Sequence, residues 1–277
     1  EWTEELAAHA RARMDGISHH YYTLPTGDWS VKGPATGFGE VEWLATLRNT
    51  MRIDEYLSDN EAVLDDHDPD GNIGIYLDEW GTWYDAEPGS NAGFLYQQNS
   101  IRDAVVAALN FNIFHRHARR LHMANIAQTV NVLQAVILTD GPKMLRTPTY
   151  HAFEMYVPFQ DATFVPVEVE DDPGIRVNDM TLPRVSASAA LTESGDLVLA
   201  LVNLHASEPA MVNATVAGFE AASTDARVLT GASLDAHNTF DDPNAVTPEP
   251  LVVTSDGSDV SISLPPHSVA VVTIGTE

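Results

Sequence analysis

A carboxylate set among aromatic residues is the feature of this sequence that most directly suggests chemistry. The apolar run 74–77 leads through an aspartate into Glu79, and Trp80, Trp83 and Tyr84 follow closely. A carboxylate at the end of a buried strand is costly unless it is paired or hydrogen-bonded, whereas Trp and Tyr rings suit the faces of sugars. The segment is therefore typical of the catalytic carboxylate of a glycoside hydrolase. The alternative is a strand end with a capping acid and two core aromatic residues.

Polar side chains also end the two other strands that the pattern predicts in this half of the chain. His20 and Tyr22 close the run 16–22, and strand alternation places both on one face. Gln128 closes the run 122–128, and its neutral amide could hold a sugar hydroxyl without shifting the pKa of a nearby carboxylate. The alternatives are a buried, hydrogen-bonded His–Tyr pair and an amide that caps backbone groups.

The elements that would position these residues alternate between helical and strand patterns up to about residue 150. Strands are predicted at 16–22, 73–80 and 122–128, with helices at 1–14, 38–59, 94–110 and 113–120. The polar residues then lie at the C-terminal ends of parallel strands, where (β/α)₈ barrels keep their active sites. Three strands cannot close a barrel, so the pattern indicates either an open sheet or the C-terminal part of a larger barrel.

Beyond about residue 163 the pattern changes to short strands separated by turn residues. Alternation is clear at 197–202, 211–216 and 269–274, which predicts an antiparallel β-sandwich. The expected class is therefore α/β plus all-β, with a barrel-type domain at 1–162 and a β-sandwich domain at 163–277. We expect the second domain to be structural, because its polar residues form no chemical constellation. The alternative, a carbohydrate-binding role, has no support in the sequence, since the domain contains no tryptophan.

Composition narrows the possible functions. The net charge is −26, with 40 acidic and 14 basic residues, which argues against a nucleic-acid partner. The absence of cysteine excludes disulfides and thiolate chemistry, and no apolar run is long enough to predict a membrane span. The acidic residues are dispersed and lysine is scarce, which predicts a halophilic source, since high salt screens self-repulsion.

Two further motifs are interpreted as structural. The acidic segment 66–71 resembles the start of a calcium loop, but the twelfth position is Leu77 and Pro69 interrupts it, so a solvated turn is expected. His115 and His117 are two residues apart on a predicted helix and point in different directions. They are expected at the surface or at an interface, and no metal site is predicted.

Taken together and in this order, the motifs resemble glycoside hydrolase family 51, the α-L-arabinofuranosidases. The resemblance covers about residues 1–165, and the rest of the chain matches only in length and strand content. It rests on the segments 17–23, 78–84, 102–104, 112–117, 123–132 and 147–150.

The resemblance implies a retaining hydrolase that releases terminal α-L-arabinofuranosyl groups from arabinan- or arabinoxylan-type saccharides. It implies a (β/α)₈ barrel, of which this chain carries about strands 6 to 8, followed by a β-sandwich. By position, Glu79 matches the nucleophile, His20 and Tyr22 match a pair that contacts nucleophile and sugar, Trp83 matches a subsite aromatic, and Gln128 matches a residue that holds the arabinose.

The family's acid/base glutamate has no counterpart in this sequence. Glu40, Glu42 and Asp85 match no motif for that role. We therefore expect the acid/base and the N-terminal barrel half to lie outside this chain, either in the same native chain or in a separate piece, and this chain alone to be nearly inactive. The resemblance further implies no cofactor, a homo-oligomer with a hexamer as the expected size, and a cytoplasmic location.

Two other functions fit the same residues. One is another retaining barrel glycosidase, such as a β-xylosidase or an endoglucanase. The other is an inactive, sugar-binding half-barrel.

Overall fold

The computed structural model describes residues 2–219 and 221–275. The first part contains the helices α1 (Trp2–Ala10), α2 (Glu40–His67), α3 (Ile101–Arg116) and α4 (Pro148–Tyr156), and the strands β1 (Gly16–Thr23), β2 (Gly74–Thr82) and β3 (Leu121–Ile126). These strands form a parallel sheet in the order β1-β2-β3, with α2 and α3 as the connections. Such repeated βα units are the building blocks of a (β/α)₈ barrel.

Antiparallel pairing dominates the rest of the chain. A first hairpin comprises β4 (Ile137–Asp140) and β5 (Lys143–Arg146). The later strands are β6 (Thr163–Val165), β7 (Ile175–Val177), β8 (Met180–Leu182), β9 (Val185–Leu191), β10 (Leu197–Asn203), β11 (Ala210–Thr215), β12 (Ser223–Leu229), β13 (Glu249–Pro250), β14 (Val253–Asp256), β15 (Asp259–Leu264) and β16 (Ser268–Gly275). They build a six-stranded sheet, β13-β12-β16-β10-β9-β6, and a three-stranded sheet, β11-β15-β14. The expected fold class, α/β followed by an all-β sandwich, is confirmed.

The six-stranded sheet is covered on both faces. Every residue of β10 is buried, which explains its continuous apolar sequence. One alternating set of side chains packs in the core of the sandwich, whereas the other packs in the core that contains the helices of the first part. The first set is Leu197, Leu199 and Leu201, and the second is Val198, Ala200 and Val202.

Polar contacts also join the helices to the sandwich. Trp43 Nε1 donates a hydrogen bond to the carbonyl of Leu204 at 2.9 Å, and His115 Nδ1 lies 2.8 Å from Ser188 Oγ. His115 is therefore an interface residue. The division of the chain into domains at 162/163 stays a prediction, although β6 pairs with β9 inside the six-stranded sheet.

Several predicted helix boundaries are wrong. The pattern predicts two helices, at 94–110 and 113–120, but the structure has one, α3, which begins after a capping box formed by Ser100 and Asp103 and ends at Arg116. The preceding residues form a loop in which Leu95 has a φ of 55°. Helix α2 continues past the predicted end at residue 59, because Leu64 is buried in the core.

In the described part of the chain, three short 3₁₀ turns lie between the longer elements. The predicted helix 1–14 ends at Ala10 and continues as a 3₁₀ turn, Arg11–Arg13, and further 3₁₀ turns lie at Ala92–Phe94 and Val157–Phe159. Within residues 2–219 and 221–275, none of the helices has the length and apolar character needed to cross a membrane.

Candidate active site

A β-bulge sets the geometry at the C-terminal end of β2. The pairing of β1 with β2 shifts so that His19 opposes Leu77 but His20 opposes Glu79, which leaves Asp78 as the extra residue. Strict alternation would place Asp78 and Glu79 on opposite faces. With the bulge, both carboxylates approach the same side chain of β1.

His20 is that side chain. Its Nε2 lies 3.2 Å from Asp78 Oδ1, and its Nδ1 lies 3.5 Å from Glu79 Oε2. Ser18 Oγ donates to both oxygens of Asp78, at 2.9 and 3.0 Å. Asp78 thus has hydrogen-bond partners that hold it in place beside the more exposed carboxylate of Glu79.

Tyr22 holds Glu79 from the same strand as His20. Its hydroxyl donates a hydrogen bond to Glu79 Oε2 at 2.6 Å, a short distance typical of a charge-assisted bond. Burial, the hydrogen bond to Glu79 and the negative charge of Glu79 all raise the pKa of Tyr22 above its ordinary value. The phenol therefore remains a proton donor to the carboxylate at neutral pH.

His19 and Tyr21 alternate with His20 and Tyr22 along β1, and their side chains lie on the opposite face of the strand. His19 Nδ1 lies 2.7 Å from the hydroxyl of Tyr56, and Tyr21 donates to the carbonyl of Asn49 at 2.6 Å, both on α2. His20 and Tyr22 therefore share the face that alternation predicts. They do not form the buried His–Tyr pair of the alternative interpretation, because the side chain of His20 is about half exposed and both residues contact Glu79.

Two tryptophan rings pack around Tyr22, the residue that bonds to Glu79. The ring of Trp83 packs edge-to-face on Tyr22 with centroids 5.0 Å apart, and Trp29 packs on Trp83 at 5.4 Å. The ammonium of Lys32 lies 5.5 Å from the centroid of Trp83 and 6.0 Å from that of Trp29. Trp29 also packs edge-to-face on Tyr22 at 6.4 Å, so the three rings form one aromatic wall, with the ammonium of Lys32 beside its two indoles.

The loops that contain Gly33 and Asp85, next to the aromatic wall, are joined by hydrogen bonds. The backbone N–H of Asp85 donates to the carbonyl of Gly33 at 2.9 Å, and the N–H of Gly33 donates to Asp85 Oδ2 at 3.1 Å. The N–H of Trp83 donates to the carbonyl of Thr23 at 3.0 Å. Asp85 is thus a structural partner of the Gly33 loop.

Buried polar residues support the segment that follows Glu79. The carboxylate of Asp103 accepts hydrogen bonds from Thr82 Oγ1 at 2.7 Å and from the hydroxyl of Tyr84 at 2.9 Å. The amides of Gln134 and Gln97 accept from the N–H groups of Thr82 and Tyr84, both at 2.8 Å. Burial raises the pKa of Asp103. These bonds fix the backbone on both sides of Trp83.

Gln128 lies beyond the end of β3, two residues past Ile126, rather than inside the strand. Its N–H donates to the carbonyl of Val132 at 3.1 Å, and a cis peptide bond joins it to Ala127. Ala127 in turn donates from its N–H to the carbonyl of Trp80 at 2.8 Å, which brings this loop against β2. The side chain of Gln128 is exposed and makes no hydrogen bond within the described part of the chain.

Sequence reasoning missed Asp78, Trp29 and Lys32 as neighbours of the site. Asp78 could not be assigned because nothing in the local sequence reports the bulge. The only signal for Trp29 was a tryptophan in a loop rich in glycine and proline.

Across the residues that the structure describes, no group of three or more His, Asp or Glu residues is arranged to hold a metal ion.

The amino-acid sequence matches a known protein family over most of its length. Residues 78–268 match the family model described as the alpha-L-arabinofuranosidase C-terminal domain. The chain belongs to this family. Because the match begins at Asp78, it includes Glu79, Trp83 and Gln128.

Members of the family are similar to the chain over nearly all of its length. An intracellular exo-alpha-L-arabinofuranosidase of Bacteroides ovatus is 39% identical over 97% of the chain and 52% of the relative. The crystal structure of the glycoside hydrolase family 51 arabinofuranosidase from Xanthomonas axonopodis pv. citri is 44% identical, with a TM-score of 0.96, over 99% of this chain and 55% of that one. The α-L-arabinofuranosidase of Thermotoga maritima, solved in complex with arabinose, shares the fold at 24% identity, with a TM-score of 0.80. The chain therefore spans about half the length of these arabinofuranosidases.

Proposed function

We propose that the chain carries the nucleophile half of a retaining α-L-arabinofuranosidase and that Glu79 is the nucleophile. The observation that carries the proposal is the hydrogen bond of 2.6 Å from Tyr22 to Glu79 Oε2, at the end of a parallel strand and beside an aromatic wall. Membership in the arabinofuranosidase family selects the sugar. The substrate class is terminal α-L-arabinofuranosyl groups of arabinan- or arabinoxylan-type saccharides.

Glu79 acts in the first step by attacking the anomeric carbon. Tyr22 and His20 hold one carboxylate oxygen, so the attacking oxygen is oriented before the sugar binds. Trp83 lines the subsite, and Gln128, in the loop against β2, holds hydroxyls of the arabinose. The attack produces a covalent glycosyl–enzyme intermediate as the glycosidic bond breaks.

A second carboxyl group must protonate the leaving oxygen and later deprotonate the attacking water. In retaining enzymes it lies about 5–5.5 Å from the nucleophile. Two of the three carboxylates considered in this chain have other tasks: Glu42 accepts from the N–H of Gly39 as a helix cap, and Asp85 accepts from the N–H of Gly33. The third, Glu40, is exposed at the start of α2. We assign the acid/base role to the N-terminal barrel half, in the same native chain or in a separate piece.

The test is hydrolysis of 4-nitrophenyl α-L-arabinofuranoside by the native full-length protein and its variants. Glu79→Ala is expected to lower activity by at least about 10³-fold. Added azide is expected to restore turnover and to give a glycosyl azide of inverted configuration. The control is Glu87→Ala, because Glu87 lies in the following loop and, within the described residues, its carboxylate accepts a hydrogen bond from the N–H of Gln98 at 2.9 Å and does not contact Glu79. Equal activity of Glu79→Ala and the native protein would contradict the proposal.

A panel of aryl glycosides separates the alternatives. Cleavage of the β-xyloside or of a cellobioside, without cleavage of the arabinofuranoside, would indicate another retaining barrel glycosidase. Calorimetric binding of arabino-oligosaccharides without turnover, even with the N-terminal half supplied, would indicate a sugar-binding half-barrel.

The remaining proposals concern the setting of the enzyme. We infer that it works in the cytoplasm of a halophile, on the basis of the dispersed acidic charge and a similar protein named as intracellular. We also infer that the protein assembles into a homo-oligomer, with a hexamer as the expected state. Size-exclusion chromatography with light scattering in molar KCl tests the assembly.

A further inference from the structure

A cation that the proposed reaction does not use lies beside the aromatic wall. Lys32 Nζ lies near the centroids of two indole rings, those of Trp83 and Trp29, and donates a hydrogen bond to the carbonyl of Trp29 at 2.9 Å. Attraction between an ammonium and the faces of indole rings is a recognised interaction at such distances. The side chain is only partly exposed, so the charge has a defined place beside the site.

The two loops that carry this group cannot move independently. The N–H of Asp85 donates to the carbonyl of Gly33, and the N–H of Gly33 donates to the side chain of Asp85. The N–H of Trp83 donates to the carbonyl of Thr23 on β1. The same strand carries Tyr22, which holds Glu79. These bonds hold the backbone next to Lys32 against the strand that carries Tyr22, and a specificity subsite requires such support.

Lys32 carries one of the few positive charges in a strongly acidic chain. Of 14 basic residues only two are lysines, Lys32 and Lys143, against 40 acidic residues. Within the described residues, Lys32 has no carboxylate at ion-pair distance, and its recorded partners are the two rings and one carbonyl. A positive charge without a counterion, at the mouth of a site that handles saccharides, suits an anionic group on the ligand.

The overall negative charge does not cancel this effect. The Debye length is about 10 Å at 0.1 M salt and about 3 Å at 1 M, so the field of distant carboxylates is largely screened, whereas a partly buried pair is screened much less. The arrangement therefore suits a saccharide with a single well-placed carboxylate rather than a highly charged polymer.

We propose that Trp29, Trp83 and Lys32 form a leaving-group subsite that prefers saccharides with a uronosyl carboxylate next to the arabinofuranosyl unit. The indole rings contact the faces of the leaving sugar, and the ammonium of Lys32 pairs with its carboxylate. This inference rests on the proposed function and specifies its substrate class.

The test uses two substrates that differ in one charge: an arabinofuranosyl-capped uronosyl oligosaccharide and its methyl ester. In the native full-length protein, kcat/KM is expected to be higher for the acid than for the ester. Lys32→Gln is expected to lower the acid-to-ester ratio about fivefold, the factor that an ion pair near the surface supplies. Lys32→Arg is expected to keep the preference. Lys143→Gln, on the exposed β4–β5 hairpin, is the matched control for the loss of one lysine.

The results distinguish a failure of the proposed subsite from a failure of the proposed function. Cleavage of 4-nitrophenyl α-L-arabinofuranoside together with an acid-to-ester ratio that Lys32→Gln leaves unchanged would overturn the subsite and leave the proposed function standing. Failure to cleave any of the three arabinofuranosides would overturn the proposed function and the subsite with it. A fall in the ratio that Lys143→Gln reproduces would also contradict the assignment to Lys32.

Discussion

At the scale of single residues, the orientation of Glu79 depends on donors from the neighbouring strand. Tyr22 supplies the short hydrogen bond, and His20 lies between Glu79 and the extra carboxylate of Asp78. Glu79 itself is about two-fifths exposed, and its Oε2 is the oxygen that both His20 and Tyr22 approach. The expected role of the phenol is therefore to orient the carboxylate.

Tyr22→Phe tests that role directly. Loss of the hydroxyl is expected to lower kcat on 4-nitrophenyl α-L-arabinofuranoside by about 10–100-fold while the protein stays folded, because one preorganised hydrogen bond to the nucleophile disappears. Tyr21→Phe is the control, since the hydroxyl of Tyr21 donates to Asn49 on the opposite face of β1. It is expected to cost about 1 kcal/mol of stability and to leave kcat unchanged. Equal kcat losses in the two variants would contradict the assignment.

At the scale of elements, the end of β2 depends on a glycine. Gly81 has a φ of +148°, and a Cβ there would lie 3.2 Å from Gln134 Oε1 and 3.4 Å from the carbonyl of Ala127. Both atoms belong to the loop that follows β3. The glycine therefore permits the close approach of that loop to the strand that carries Glu79.

Gly81→Ala is expected to lower the free energy of unfolding by about 1–3 kcal/mol and to reduce kcat/KM, since either the strand end or the Gln134 loop must shift. Gly257→Ala provides the comparison, because Gly257 also has a positive φ, +62°, but a Cβ there would meet open space. It is expected to lose stability and to keep activity. Full activity in Gly81→Ala would show that the close approach is dispensable.

Helices α2 and α3 are joined by a buried histidine. His117 Nε2 lies 2.8 Å from Asp54 Oδ1, and its Nδ1 lies 3.0 Å from Glu61 Oε2. Burial alone would lower the pKa of His117, but the bonds to these two carboxylates and their charges outweigh it and raise the pKa. Arg116 also faces Asp54, at 3.0 Å, and lowers its pKa together with the stronger effect of His117.

The raised pKa of His117 fixes the sign of a pH effect on stability. The contribution of the imidazolium is fully present below the unfolded-state value of 6.5 and is lost as the pH rises through the higher folded-state pKa. Urea unfolding of the native protein is therefore expected to show falling stability above pH 6.5. His117→Gln is expected to cost about 1–2 kcal/mol at pH 6 and to flatten this dependence. Greater stability at pH 9 than at pH 6 in the native protein, lost in the variant, would contradict the expectation.

The sequence predicted elements better than their details, for physical reasons. Period-two alternation revealed β1 and the face shared by His20 and Tyr22, because side-chain direction in a strand is a local property. The bulge at Asp78 depends on pairing with β1, and the start of α3 depends on a capping box that competes with helical propensity around residue 94. The contacts of Trp29 and Lys32 depend on two loops meeting, which no local pattern records.

At the scale of the whole molecule, the dominant property is charge. The net charge is −26 on a chain whose core is continuous between the helices and the six-stranded sheet. Such self-repulsion opposes the compact state at low ionic strength and is screened by salt.

Thermal stability is therefore expected to rise with KCl concentration. The melting temperature of the native protein is predicted to be higher in 2 M than in 0.05 M KCl, by roughly 5–15 °C, on the order of a few kcal/mol. An equal concentration of a neutral osmolyte serves as the control for general exclusion effects. A melting temperature that is higher in low salt than in molar KCl would contradict the inference of a halophilic source.

The central claim is that Glu79 forms the covalent bond to the sugar. It is tested most directly by labelling the native protein with an arabinofuranose-configured epoxide inactivator, followed by peptide mass spectrometry. The claim predicts one label per site, on Glu79, and loss of labelling in Glu79→Gln. Labelling of Asp78 or of any other residue in place of Glu79, with matching loss of activity, would contradict it.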